Sequence, residues 1–287
     1  MKNIWIIGCG DIGRRVAKLI DDLYQNQAYR TSALVRSVES AELCEKLGVN
    51  TLVHNLDESW PLDKEEFFDA EIYYFAPPPK TGLMDNRLQH FITQVGDAPR
   101  KIVLISTTGV YGDCRGEWID ESRPPNPQTD RAIRRVAAEK TLLNWAADHR
   151  KPIITLRVPG IYSLDRLPLA RLKKKLPVVQ ASEAAFTNRI HADDLANICI
   201  EAMNSSLSGE VFNATDGDPG IMVDYFNKIA DYVGLERPQQ ISLEEAKKSL
   251  SAGMLSYAGE SRRIGNAKLL NVLGIKLQYP TLESTLE

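Results

Sequence analysis

Near its start the chain runs Ile4-Trp5-Ile6-Ile7, then Gly8-Cys9-Gly10-Asp11-Ile12-Gly13, then Arg14-Arg15-Val16-Ala17. An apolar strand, a turn with glycines at this spacing and an amphipathic helix form the fingerprint of a dinucleotide-binding βαβ unit. Glycines permit a tight turn and close backbone approach, and a helix N-terminus aims unpaired N–H groups at a pyrophosphate. Gly8, Gly10, Asp11, Ile12, Gly13 and Arg14 are therefore candidate cofactor-binding residues. An ordinary strand–helix turn is the competing reading.

Strands and helices alternate downstream. Apolar periodicity predicts strands at 3–7, 32–35, 50–53, 72–75, 101–106 and 153–157. It predicts helices at 12–24, 40–47, 86–95 and 130–148, the first burying Val16, Leu19, Ile20 and Leu23. Such alternation implies a doubly wound α/β fold with a parallel sheet ordered 3-2-1-4-5-6, extended by a strand at 211–214. Beyond Ile161 the pattern loosens, with a helix expected over 164–176. We expect a cofactor domain at 1–163, rejoined by 188–215, and a small mixed C-terminal lobe from 164–187 and 216–287. The 287 residues carry a net charge of −3, and Lys173-Lys174-Lys175 is the densest basic run. Nucleic-acid binding is not expected. No apolar run approaches the ~20 residues of a membrane span. Cys9, Cys44, Cys114 and Cys199 show no metal-ligand spacing, which leaves metal unexpected and suits a reducing cytoplasm. A strand beginning at once leaves no room for a signal peptide.

A second motif, Ile105-Ser106-Thr107-Thr108-Gly109-Val110-Tyr111-Gly112, ends a buried strand. Leu156-Arg157-Val158-Pro159-Gly160-Ile161-Tyr162, Asn188-Arg189-Ile190-His191-Ala192-Asp193-Asp194-Leu195 and Val211-Phe212-Asn213-Ala214-Thr215-Asp216 follow in order. Together they resemble the extended short-chain dehydrogenases/reductases, the NAD(P)-dependent epimerases and dehydratases. The resemblance implies a Rossmann sheet and gives Thr107 the catalytic Ser/Thr position. It also implies cofactor contacts from Asn55, Leu56, Ala76, Pro77 and Ser106, and pairing into a homodimer through the helices at 86–95 and 130–148. His191 falls in a structural loop.

The departures are as informative. The family opens the helix after its fifth strand with Tyr-x-x-x-Lys, followed four residues later by Glu. Setting that Glu at Glu139 puts Arg135 at the Lys position and Arg131 at the Tyr position. An arginine side chain stays protonated near neutrality and cannot act as the acid/base. Arg135 is then expected to hold ribose hydroxyls, and Arg131 to polarise a carbonyl or clamp an anionic substrate. Tyr111 and Tyr162 are the candidate phenols. The family's diphosphate-gripping arginine falls on Thr187, which weakens the case for a nucleotide sugar. NAD-specific sites end the second strand with an acid. Here Leu34-Val35-Arg36-Ser37 offers Arg36, suited to a 2′-phosphate, so NADP is expected, with NAD as the alternative. Two function classes stay open: an enzyme acting on a small polar or anionic carbonyl or hydroxyl compound, and a cofactor-binding regulator that has lost catalysis.

Overall fold

The computed structural model describes residues 1–59, 61–250, 255 and 259–287. Its centre is a seven-stranded parallel sheet. The strands are β1 (Lys2–Ile7), β2 (Tyr29–Val35), β3 (Asn50–Val53), β4 (Glu71–Tyr74), β5 (Lys101–Thr107), β6 (Ile153–Val158) and β7 (Glu210–Asn213). Their order across the sheet is β3-β2-β1-β4-β5-β6-β7. The expected order holds, including the added strand.

Alternate residues of each strand feed two cores, as strand geometry requires. Ile4 and Ile6 face one layer, built from α1 (Asp11–Tyr24), α2 (Val38–Glu45) and the helix at Ala192–Asn204. Trp5 and Ile7 face the other, built from α3 (Asn86–Val95) and α4 (Asp130–His149). Thr129 caps α4 by accepting from Ala132 N at 3.3 Å. In α1 the buried stripe is Ile12, Val16, Ala17 and Ile20; Leu23, expected inside, is 52% exposed. At this end of the helix it is the neighbouring Tyr24 that packs against the core.

Past β6 the chain builds a separate small core from Tyr162, Leu172, Val178, Val223, Phe226, Ile229 and Leu282. The helix expected over 164–176 is instead a 3₁₀ turn at Leu164–Arg166 and a short helix at Leu169–Lys173. Pro168 stands between them, and a proline inside a helix removes a donor and clashes with the preceding turn. Residues 251–254 and 256–258 of the expected lobe lie outside the described residues. Among the described residues no helix is long and apolar enough to cross a membrane.

Candidate functional site

The carboxyl edge of the sheet carries two clefts. The first lies over the β1–α1 turn and encloses about 300 Å³. Each fingerprint glycine has its own reason to lack a side chain. Gly8 has φ +92°, and a Cβ there would stand 2.6 Å from Ala76 N. A Cβ on Gly13 would sit 3.1 Å from both Cys9 Sγ and Ile6 Cγ2, so Gly13 sets how closely α1 packs on β1. A Cβ on Gly10 would meet nothing within 4 Å, which leaves the backbone open to a ligand. No side chain caps α1 at Gly10. The N–H groups of Asp11, Ile12 and Gly13 therefore have no acceptor within the helix, and they form a ready anion site.

Gly8, Gly10, Arg36, Asn55, Leu56, Ala76 and Pro77 all line this cleft. Cys9, Ser37, Ser40, His54 and Arg87 line it too, and the sequence reading missed them. Ser37 caps α2, accepting from Ser40 N at 3.3 Å, and the two hydroxyls lie 3.0 Å apart beside Arg36. The Ser37-x-x-Ser40 spacing is a cap signal that was available in the sequence. Asn55 Oδ1 accepts from Asp57 N at 3.2 Å. Arg87 grips Asp57 at 2.5 Å and donates to the Pro77 carbonyl at 3.0 Å, tying the two lips of the cleft together.

Of the remaining cofactor candidates, Ile12 and Gly13 are buried beneath the turn. Asp11 is engaged by Arg15 at 3.2 Å and Arg166 at 2.6 Å. Arg14 does not line the cleft; its charge acts on the Cys44 thiol. Ser106 is 3% exposed, and its hydroxyl donates to Glu139 at 2.5 Å.

The second cleft, of about 200 Å³, opens where β5 and β6 end. Thr107, Thr108, Gly109, Thr129 and Arg131 form one wall; Thr187, Asn188, Glu260 and Arg262 form the other. Thr107 Oγ1 accepts from Gly109 N at 3.2 Å. Arg131 is exposed and has no ion-pair partner among the described residues. Arg262 pairs with Glu260 at 2.7 Å and donates to the Gly112 carbonyl at 2.7 Å. Asn188 latches this C-terminal segment, donating to Arg262 O at 3.0 Å and accepting from Ile264 N at 2.9 Å. Neither Glu260 nor Arg262 was a sequence candidate.

Other expected residues lie behind these walls. Arg135 lines neither cleft and reaches the Ala76 carbonyl at 3.5 Å; burial draws its pKa below an arginine's ordinary value, with Asp85 opposing. Tyr111, a candidate for proton transfer, is 1% exposed and donates to Asn213 Oδ1 at 2.8 Å. Burial pushes its phenol pKa up. Tyr162 is also 1% exposed and packs edge-on to His191. The short turn Thr108–Tyr111 carries the first ring inward, and Tyr162 ends a short strand, Gly160–Tyr162, that pairs in parallel with Arg189–His191. His191 caps its helix, its Nδ1 accepting from Asp193 N at 3.2 Å, while its ring lies 3.8 Å from Tyr279.

A buried network joins β5, β6 and α4 under Thr107. Arg157 pairs with Glu139 at 2.8 Å, with side chains 6% and 11% exposed, and its guanidinium lies 4.8 Å from the Tyr111 ring centre.

Residues 81–215 match the NAD dependent epimerase/dehydratase family. A dTDP-D-glucose 4,6-dehydratase of Homo sapiens is 23% identical over 121 residues, covering 39% of this chain and 35% of that protein. The match thus spans about a third of the human enzyme's length. A functionally unknown conserved protein from Silicibacter pomeroyi DSS superposes with a TM-score of 0.85 at 24% identity, covering 100% of this chain and 97% of that one. A UDP-glucuronic acid 4-epimerase from Bacillus cereus in complex with NAD gives 0.75 at 16% identity, covering 99% and 96%. These structural likenesses carry the fold. The family match itself is confined to residues 81–215, a little under half of the chain.

Proposed function

We propose that this protein is an NADP-dependent enzyme acting on a small anionic carbonyl or hydroxyl compound. The observation that carries the reading is the end of β2. Arg36, Ser37 and Ser40 meet there at the N-terminus of α2, on the lip of a cleft built over an uncapped, glycine-lined turn. A guanidinium, two hydroxyls and a helix N-terminus suit a 2′-phosphate, and no acid stands there to bind a bare ribose. The residues present fit the cofactor. Gly10 and the first turn of α1 would take the pyrophosphate, Asn55 and Leu56 the adenine end, and Ala76 and Pro77 the nicotinamide ribose, with Arg135 reaching the Ala76 carbonyl from behind the cleft wall. A bound nicotinamide supplies hydride transfer.

The chain's own residues supply the rest. Thr107 positions the reacting oxygen, and Arg131, which has no ion-pair partner among the described residues, stabilises negative charge on the substrate. The cleft's small volume, together with Thr187 at the diphosphate-binding position, favours a small anion over a nucleotide sugar. Arg131 and Arg135 stand in for the usual Tyr and Lys. The absence of a phenol among the described residues of the cleft is what favours the second reading, a cofactor-binding regulator without turnover. Residues 1–163 with 188–215 form the cofactor unit in this account, and 164–187 with 216–287 the substrate lobe. Pairing through α3 and α4 would cover Leu143, which is 53% exposed. Calorimetric titration tests the cofactor assignment: NADPH binds more tightly than NADH, and equal affinities refute it.

A further inference from the structure

Resting on the cofactor reading above, we propose that Arg87 is the platform on which the adenine of the dinucleotide stacks. Arg87 lines the cofactor cleft from the first turn of α3, with a side chain 13% exposed. All three of its nitrogens are committed within the guanidinium plane. Nε donates to Asp57 Oδ1 at 2.8 Å, Nη2 to Asp57 Oδ2 at 2.5 Å, and Nη1 to the Pro77 carbonyl at 3.0 Å. A fork bound along two edges keeps its plane fixed. What it still offers a ligand is a flat, charged face, and such a face attracts an aromatic ring.

The place is the adenosine end of the cleft. Arg36, assigned to the 2′-phosphate, lines the same cleft, and that phosphate hangs from the ribose that carries the adenine. Asp57 feels both arginines. Its hydrogen bond to Arg87, and then the charges of Arg87 and Arg36, hold its carboxyl below the ordinary carboxylate range. Leu34, Val35 and Leu56 supply apolar lining for a base. Among the described residues of the cleft there is no Phe, Tyr or Trp, which leaves His54 and the guanidiniums as its flat groups.

The probe is 2′,5′-ADP, which carries the adenine and the 2′-phosphate without a nicotinamide. Stacking lowers the ultraviolet absorbance of a base, which a mere tie between two loops does not do. Calorimetry supplies the affinities, and difference absorbance reads the stack. The parent is expected to bind 2′,5′-ADP with hypochromism. Arg87→Met loses roughly 5- to 30-fold in affinity, and the hypochromism disappears. Arg87→Lys keeps the charge without the plane and loses the hypochromism too. NADPH and NADH weaken equally in Arg87→Met, since both carry the adenine.

A parent that binds NADPH but not 2′,5′-ADP, or binds 2′,5′-ADP without hypochromism, overturns the platform and leaves the cofactor reading standing. So does hypochromism that survives in Arg87→Met, or that is lost in His54→Ala and kept in Arg87→Met. If the parent binds neither NADPH nor 2′,5′-ADP, the cofactor reading fails and takes the platform with it. If Arg87→Met does not fold, Arg87→Lys decides: hypochromism lost supports the platform, and hypochromism kept overturns it.

Discussion

Replacing Glu139 by leucine tests whether the end of β5 is fixed by a buried ion pair. Glu139 sits between Arg157 at 2.8 Å and the Ser106 hydroxyl at 2.5 Å. The substitution strands a guanidinium whose side chain is 6% exposed. Removing one partner of such a pair costs about 3–5 kcal/mol, because the remaining charge stays buried and uncompensated. The Tyr111 ring under the guanidinium returns only a small part of that loss. At about 2.1 cal/mol/K per residue, the 287-residue chain unfolds with an entropy of about 0.6 kcal/mol/K, so the expected fall in Tm is about 5–8 °C. Urea denaturation followed by circular dichroism reads the free energy directly. The control is the double variant Glu139→Leu/Arg157→Met, which removes both charges and is expected to recover to within about 1 kcal/mol of the parent. A single-variant loss below about 1 kcal/mol, or a double variant as unstable as the single, refutes the reasoning.

Two further outcomes follow from individual side chains. Thr107→Val should remove about 10²–10³ in turnover, because an aimed donor at the reacting oxygen is lost. NADPH affinity should stay intact, and a demonstrated activity left untouched by the change would place the chemistry elsewhere. Burial raises the Asp216 carboxyl from an ordinary 3.8 to about 8, with the N–H of Asp218 and the charge of Arg189 opposing. The folded state then binds the proton more tightly than the unfolded chain does. The contribution to stability is complete below the ordinary carboxylate range and is lost as pH rises toward about 8. Thermal melts across that window should fall more steeply with pH for the parent than for Asp216→Asn, and parallel curves would contradict the assignment.

The parts of the molecule legible in the sequence are those where local pattern and tertiary structure agree. Strands β1 and β5 are buried on both faces and read as continuous apolar runs, and α3 lies at the residues its periodicity marks. The glycine turn was legible because Gly8 and Gly13 answer steric demands that another residue cannot meet, and Gly10 keeps their spacing with open space above it. Arg36 was legible as the residue at the end of a strand. Ser37 and Ser40 were missed because a helix cap was not read as part of a site.

Glu260 and Arg262 had no local signal at all. They reach the cleft because Arg263–Ile264 pairs with Trp118–Ile119, a short parallel contact between segments about 145 residues apart in the chain. Tyr111 failed in the opposite way. Its position in the motif suggested chemistry, but the turn at Thr108–Tyr111 folds the ring under Arg157, and its hydroxyl is spent on Asn213.

The measurement that bears most directly on the account is a pair of titrations, NADPH and NADH, against the parent protein and Arg36→Ala. A charge-assisted hydrogen bond contributes about 1.5–3 kcal/mol, or roughly 10- to 150-fold in affinity. The account predicts that the parent prefers NADPH, that Arg36→Ala loses at least tenfold for NADPH, and that NADH affinity barely moves. Equal affinities in the parent, or an equal loss for both dinucleotides in the variant, would contradict it.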